Sequence, residues 1–270
     1  MSTFEPVELV PAAAPSAAET VPGLLLICDH ARNAVPPEVG ELGLPPHDMA
    51  RHIAWDVGAR GVTLGLAQRL GAPAVLSTFS RLVIDPNRGE DDPTLVMRLS
   101  DGSIIPGNRH IGEAEIERRK QVYFRPYHAA IRDQIDRIEA AGQDPVLVSM
   151  HSFTPNFQGR PQREWHVGLL WDQDDRLLRP MLDIMRGQPD ISVGDNEPYS
   201  GRLFGDCMWT HGTSRGLPHI LIEIRNDLIA EAPDQARWAQ RLAPVICESV
   251  ARMRAANEPA VEADAPDTAA

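Results

Sequence analysis

Two histidines in this chain follow short apolar runs, where a strand would be expected to end. Leu24–Ile27 leads through Cys28 and Asp29 to His30, and Pro145–Met150 leads to His151. Two further runs deliver other chemistry. Leu82–Ile84 is followed by Asp85, Asn87 and Arg88, and Ile220–Ile222 by Glu223 and Arg225. In open α/β sheets, ligands bind outside the carboxyl ends of the strands. If these four runs are parallel strands, their ionisable residues gather at one edge of one sheet.

Zinc accepts histidine nitrogens and carboxylate oxygens, and a catalytic zinc keeps three protein ligands and a water. His30 and His151 are the natural pair. The third ligand is open among Asp56, Asp29, His52 and Asn33, because the chain has no HExxH and neither His30 nor His151 opens an HxxE; Asn33 stands three residues after His30. A carboxylate binds zinc far better than a carboxamide, which favours Asp56 over Asn33. Glu223 follows an aliphatic run, so burial should raise its pKa towards that of a general base. Its competing role is an internal ion pair with Arg225. Arg88, held by a Pro-containing turn, presents a rigid fork suited to a carboxylate, and Arg81 and Arg225 are candidates for a second clamp.

The elements that must position these residues alternate along the chain. Unbroken apolar runs without polar alternation fit strands covered on both faces. Strands are expected at Leu24–Ile27, Ala74–Leu76, Leu82–Ile84, Pro145–Met150, Val167–Trp171 and Ile220–Ile222. Helices are expected from Asp48 to about Leu70, stopped by Gly71; from Gly112 to about Ala141, kinked or interrupted by Pro126; over Asp175–Arg186; and over Asp234–Arg254. In the first of these, His52 and Asp56 would share a face. Residues 90–109 and 195–209 read as polar rim or specificity loops. The alternation implies a three-layer α/β sandwich with a mainly parallel, mixed sheet. Residues 21–256 would form a single α/β domain between tails at 1–20 and 257–270.

A net charge of −12 argues against a nucleic-acid binder. No apolar run approaches the roughly 20 residues of a membrane helix, and no signal peptide is apparent. Three widely spaced cysteines without a CxxC pair suggest a reducing cytoplasm. Oligomeric state has no signature.

Several segments together resemble the N-formylglutamate amidohydrolase family. They are Cys28-Asp29-His30-Ala31-Arg32-Asn33-Ala34-Val35-Pro36, His52-Ile53-Ala54-Trp55-Asp56, Ser80 to Arg88, His151-Ser152-Phe153-Thr154-Pro155, Asn196-Glu197-Pro198-Tyr199 and Ile222 to Leu228. The resemblance runs in order from about residue 22 to 252. It implies a phosphorylase/hydrolase-like fold akin to zinc carboxypeptidases and aspartoacylases. It further implies an Asn-Arg pair for substrate carboxylate, matched by Asn87-Arg88, and a late general-base glutamate, matched by Glu223.

The reading that follows is a zinc-dependent amidohydrolase acting on a small N-acyl amino acid, N-formyl-L-glutamate foremost. His30, His151 and Asp56 would hold one Zn2+, and Glu223 would serve as base. Arg81 or His211 would stabilise the oxyanion, and Asn87, Arg88 and Arg225 would hold carboxylates. The products, formate and glutamate, would fit histidine breakdown. A zinc deacylase or small peptidase with another carboxylate substrate, and a non-catalytic carboxylate binder, are the alternatives.

Overall fold

Leu24–Cys28 (β2) is an interior strand, and all five of its side chains are buried. In the computed structural model, which describes residues 4–14, 20–157 and 160–257, it lies inside a seven-stranded sheet. The other strands are β1 (Val7–Val10), β3 (Ala74–Ser77), β6 (Val146–Phe153), β7 (Val167–Leu170), β8 (Val193–Asp195) and β9 (His219–Arg225). Their order is β1-β3-β2-β6-β9-β7-β8. The four central strands β3, β2, β6 and β9 are parallel, while β1 and β7 pair antiparallel with β3 and β9. A two-stranded hairpin, β4 (Leu99–Ser100) with β5 (Ser103–Ile104), stands apart from this sheet.

Alternate residues of β2 serve different layers, as strand geometry requires. Leu24, Leu26 and Cys28 pack with α2 (Ala59–Leu70), α5 (Leu178–Arg186) and α7 (Ala232–Asn257). Leu25 and Ile27 face α4 (Arg125–Ala140) and α6 (Cys207–His211). The expected α/β three-layer arrangement is therefore present. α2 carries the chain from β2 to β3 over one face, and α4 returns it to β6 over the other. β2 thus lies between the strands it leads to, and a crevice forms at its carboxyl end.

Four expectations need correction. The helix expected from Asp48 to Leu70 is broken into α1 (Pro46–Met49) and α2. Between them Gly58 adopts φ +84°, and a Cβ there would lie 2.1 Å from the Ile229 carbonyl oxygen. The backbone of this break is used by other segments: Asp56 N–H donates to His30 O, and Ala54 O accepts from Ser80 Oγ and Arg81 N–H. His52 and Asp56 therefore do not share a helix face. Leu82–Ile84 is buried but is not a strand. Its turn is closed by Ser80 and by Asn108, whose amide donates to Leu82 O, so its polar groups need no ladder. It packs in a third core under the loops, with Phe79, Leu95, Ile105 and Tyr123.

The segment read as an N-terminal tail supplies β1, whose backbone pairs with β3 and whose Glu8 accepts from Arg32 and Arg60. Too short to show a convincing period, it is stabilised by those partners. Of 257–270, only Asn257, the last residue of α7, is among the described residues. Pro126, finally, interrupts its helix as expected. α3 (Glu113–Arg119) passes through a π-helical turn at Lys120–Phe124 into α4, leaving Pro126 in the first turn, where its missing N–H is tolerated. Among the described residues no helix is long and apolar enough to cross a membrane.

Candidate active site

The carboxyl ends of β2, β6 and β9 open into a cleft of about 480 Å³. His30 lies two residues beyond β2, and His151 is inside β6. In the β6–β9 ladder His151 is the direct partner of Glu223, so both project from adjacent strands on one face. Asp56 comes from the break between α1 and α2. These three elements bring His30, His151 and Asp56 together as a buried cluster with metal-ligand geometry.

Its hydrogen bonds define the roles of the ring nitrogens. His30 Nδ1 and His151 Nδ1 lie 3.2 and 2.8 Å from the same oxygen, Asp56 Oδ2. The opposite nitrogens are backed by other carboxylates: His30 Nε2 lies 2.7 Å from Asp85 Oδ1, and His151 Nε2 lies 2.9 Å from Asp29 Oδ2. Asp29 also accepts from Tyr127 OH at 2.9 Å and Ser149 Oγ at 3.2 Å. This carboxylate–histidine pattern fixes a metal ligand's tautomer by keeping a proton on the far nitrogen. The Nδ1 lone pairs then converge with Asp56 Oδ2 on one point. The donor set, two imidazoles and one carboxylate, suits a divalent metal of the zinc class. Such an ion would replace the protons that otherwise join the imidazoles to Asp56.

The electrostatics follow from that packing. Burial alone would raise the pKa values of Asp29, Asp56 and Asp85, but their cationic neighbours overcome it. Asp29 is held at about 2 by His151 and His30. The two imidazoles push Asp56 below the usual carboxylate range, and Arg81 and His30 do the same to Asp85. His151 is raised despite burial, because it is bracketed by Asp29 and Asp56. Glu223 moves the other way. Burial is the largest effect and lifts it to about 7, opposed by His151 and reinforced by Asp56. Its Oε2 is buried without a hydrogen-bond partner among the described residues.

Of the residues proposed from sequence, His30, His151, Asp56, Arg81, Asn87, Arg88 and Glu223 all line this cleft. Arg81 donates to Asp85 Oδ2 at 2.7 Å and approaches Asp56 Oδ1 at 3.4 Å. Asn87 Oδ1 accepts from Cys207 N–H at 3.2 Å. The other candidate third ligands are not part of this cluster, although His52 also lines the cleft. Asn33 donates to Met49 O, His52 Nε2 lies 3.3 Å from Asp101, and Asp29 stands behind His151.

Two assignments are corrected. Arg225 is not a cleft residue; it exits β9 and pairs with Asp227 at 2.8 Å. This pairing also removes it as the ion-pair partner of Glu223. His211 does not face the cleft either. It is buried against His128, with His211 Nε2 lying 2.8 Å from His128 Nδ1, while His128 Nε2 lies 3.1 Å from Pro86 O. Cys207 completes a second cluster with these histidines. The contact between the two rings is a hydrogen bond, and with His128 held to Pro86 O the pair braces the turn that carries Asn87 and Arg88.

Sequence reasoning missed several cleft residues. Asp85 was visible as the end of an apolar run, but its service to His30 was not. Asp206 lines the cleft, caps α6 by accepting from Trp209 N–H, and is lifted to about 7, chiefly by burial. Tyr199 and Arg202 come from a loop whose polar density was noticeable but whose direction was not.

Comparison with known proteins agrees with this geometry. A family model, N-formylglutamate amidohydrolase, matches residues 23–230. A solved gene product of Agrobacterium tumefaciens is 35% identical, covers 93% of this chain and 97% of its own, and superposes with a TM-score of 0.86. The structure of N-formylglutamate amidohydrolase from Ralstonia eutropha JMP134 shares the fold, with 22% identity, a TM-score of 0.69, and coverage of 94% of this chain and 100% of its own. An N-formylglutamate deformylase of Pseudomonas putida is 32% identical over 97 residues, a match spanning 32% of this chain and 36% of that relative. With most of its folded length matched by the family model, the chain belongs to the N-formylglutamate amidohydrolase family.

Proposed function

We propose that this protein is a metal-dependent amidohydrolase that releases formate from N-formyl amino acids, with N-formyl-L-glutamate the foremost substrate. One observation carries the reading. Three converging ligands, His30, His151 and Asp56, stand beside a buried carboxylate, Glu223, whose Oε2 lacks a partner. The names of the family and of the Pseudomonas putida relative support the choice of acyl group.

Zinc held by these ligands would polarise the formyl carbonyl and acidify a water towards neutrality. Glu223, lifted to about 7, is matched to taking the proton from the attacking water and delivering it to the departing nitrogen. Arg81 is fixed by Asp85, which leaves Nη1, only weakly engaged by Asp56, to donate to the oxygen that gains charge. Arg88, carried on the Asp85–Arg88 turn, receives the substrate carboxylate, and Asn87 holds that turn to α6. The step balances: water adds to the formyl carbon, the C–N bond breaks, and formate and the free amino acid leave.

The test is metal analysis of the purified protein together with formate release across a panel of N-formyl and N-acetyl amino acids. One equivalent of zinc and turnover of N-formyl-L-glutamate are expected. Turnover confined to another acyl group would establish a deacylase instead, and carboxylate binding without metal would establish a binder.

A further inference from the structure

Two arginines lining the cleft form no direct ion pair among the described residues, although Arg88 is near enough to Asp85 and Asp206 for its charge to favour their ionised forms. The Arg88 guanidinium donates to the Asn87 carbonyl at 2.8 Å, and Arg202 lies over the Trp171 ring at 5.8 Å. The third cleft arginine, Arg81, is neutralised by Asp85 and Asp56. In a chain of net charge −12, two guanidiniums without a direct ion pair among the described residues in one cleft mark a place for anions.

The segments carrying them are pinned to each other. Cys207 N–H donates to Asn87 Oδ1. Gly205, at φ +81°, comes so near Gly89 that a Cβ on it would lie 3.1 Å from the Gly89 Cα. The relative placement of the two arginines is therefore a property of packed backbone. Both are partly exposed at the cleft, within reach of a solute. Each guanidinium presents a planar fork that matches a carboxylate.

Resting on the amidohydrolase reading above, in which Arg88 already receives one carboxylate, we propose that Arg202 is the second point of an anchor for a dicarboxylic N-formyl amino acid. Arg88 takes the α-carboxylate that every such substrate carries. Arg202 reads the side-chain carboxylate and is the specificity-determining residue. The chemical class selected is a dianion, as in the glutamate and aspartate derivatives. A monoanion such as the glutamine derivative leaves Arg202 without an ion to pair.

The experiment uses the full, metal-loaded chain, comparing wild type, R202Q and R202K on N-formyl-L-glutamate and N-formyl-L-glutamine. R202Q should lower the glutamate-to-glutamine ratio of kcat/KM roughly tenfold, chiefly through KM for the glutamate derivative, because one charge-assisted contact is lost. R202K should recover part of the ratio, and metal content should not change. Thermal shift with glutarate against butyrate reports the same anchor without turnover. An unaltered ratio in R202Q, with wild-type turnover intact, overturns the anchor. If the wild type hydrolyses neither compound yet glutarate protects it in an Arg202-dependent way, the hydrolysis reading falls and the anchor stands. Absence of both turnover and protection overturns both.

Discussion

Replacing Glu223 by Gln separates chemistry from architecture, since the shape is kept and only the ability to accept a proton is lost. On the kinetic side, removing a general base costs about 10²–10⁴ in rate. On the stability side, the folded carboxyl titrates at about 7, against an ordinary glutamate value of 4.5 that applies to the unfolded chain. The folded protein therefore holds a proton that the unfolded chain releases as pH rises through 4.5. Stability contributed by this group is greatest below that point, falls between 4.5 and 7, and levels off above. The accumulated loss at pH 8 is about 3 kcal/mol for a group this buried. Gln carries no charge to desolvate, so the chelated variant should melt higher than chelated wild type at pH 8, with a much smaller difference at pH 5. Metal content of the loaded variant should match wild type, because Glu223 is not among the ligands. The assays are formate release, metal analysis and melting curves of chelated protein at both pH values. Retained turnover would refute the base assignment. A variant that melts lower at both pH values would show a structural partner that the unpaired Oε2 does not suggest.

Replacing His30 or His151 by Ala should abolish zinc binding, read directly by metal analysis. Asp85→Asn, which weakens the orientation of His30, should reduce zinc affinity roughly 10–100-fold in a chelator competition. Arg88→Lys keeps charge but loses the fork, so KM for N-formyl-L-glutamate should rise at least as much as kcat falls; a pure kcat effect would argue against substrate binding. The acid limb of kcat/KM should lie at or below about pH 7, since a bound cation can only lower Glu223 from its metal-free value. A limb well above 7 in a pH–rate profile would exclude Glu223 as its source.

Much of this centre was legible because strands deliver residues predictably. His151 and Glu223 sit on neighbouring strands whose apolar runs are long and unbroken, and His30 follows the wholly buried β2 run. What failed were assignments without such a frame. Arg225 shares the pleat of Glu223, but at the last residue of β9 the chain turns into a 3-10 segment and Asp227 takes the guanidinium. His211 lies on the short α6, where no periodicity indicates which way a side chain faces. The Leu82–Ile84 run looked like a strand because burial and strand pairing share one apolar signal. Its backbone is satisfied instead by Ser80 and Asn108, which are distant from each other in sequence. The same reliance on remote partners hid β1 and broke the helix expected from Asp48.

The pairing of His151 with Glu223 places a metal ligand and the proposed base on rungs of one parallel ladder. Their separation is set by main-chain geometry in the middle of the sheet, and a slip of one residue would turn both side chains to the opposite face. The arginines proposed to meet substrate come from turns outside that ladder, braced by Asn87, His128 and the Gly89–Gly205 contact. The Asp85–Arg88 turn also orients His30 through Asp85, whereas Arg202 comes from a loop that carries neither the proposed ligands nor the proposed base. On the proposed reading, exchanging Arg202 alone would redirect the protein to a new acid while leaving base and ligands in place, so divergence of substrate would require no reinvention of its chemistry.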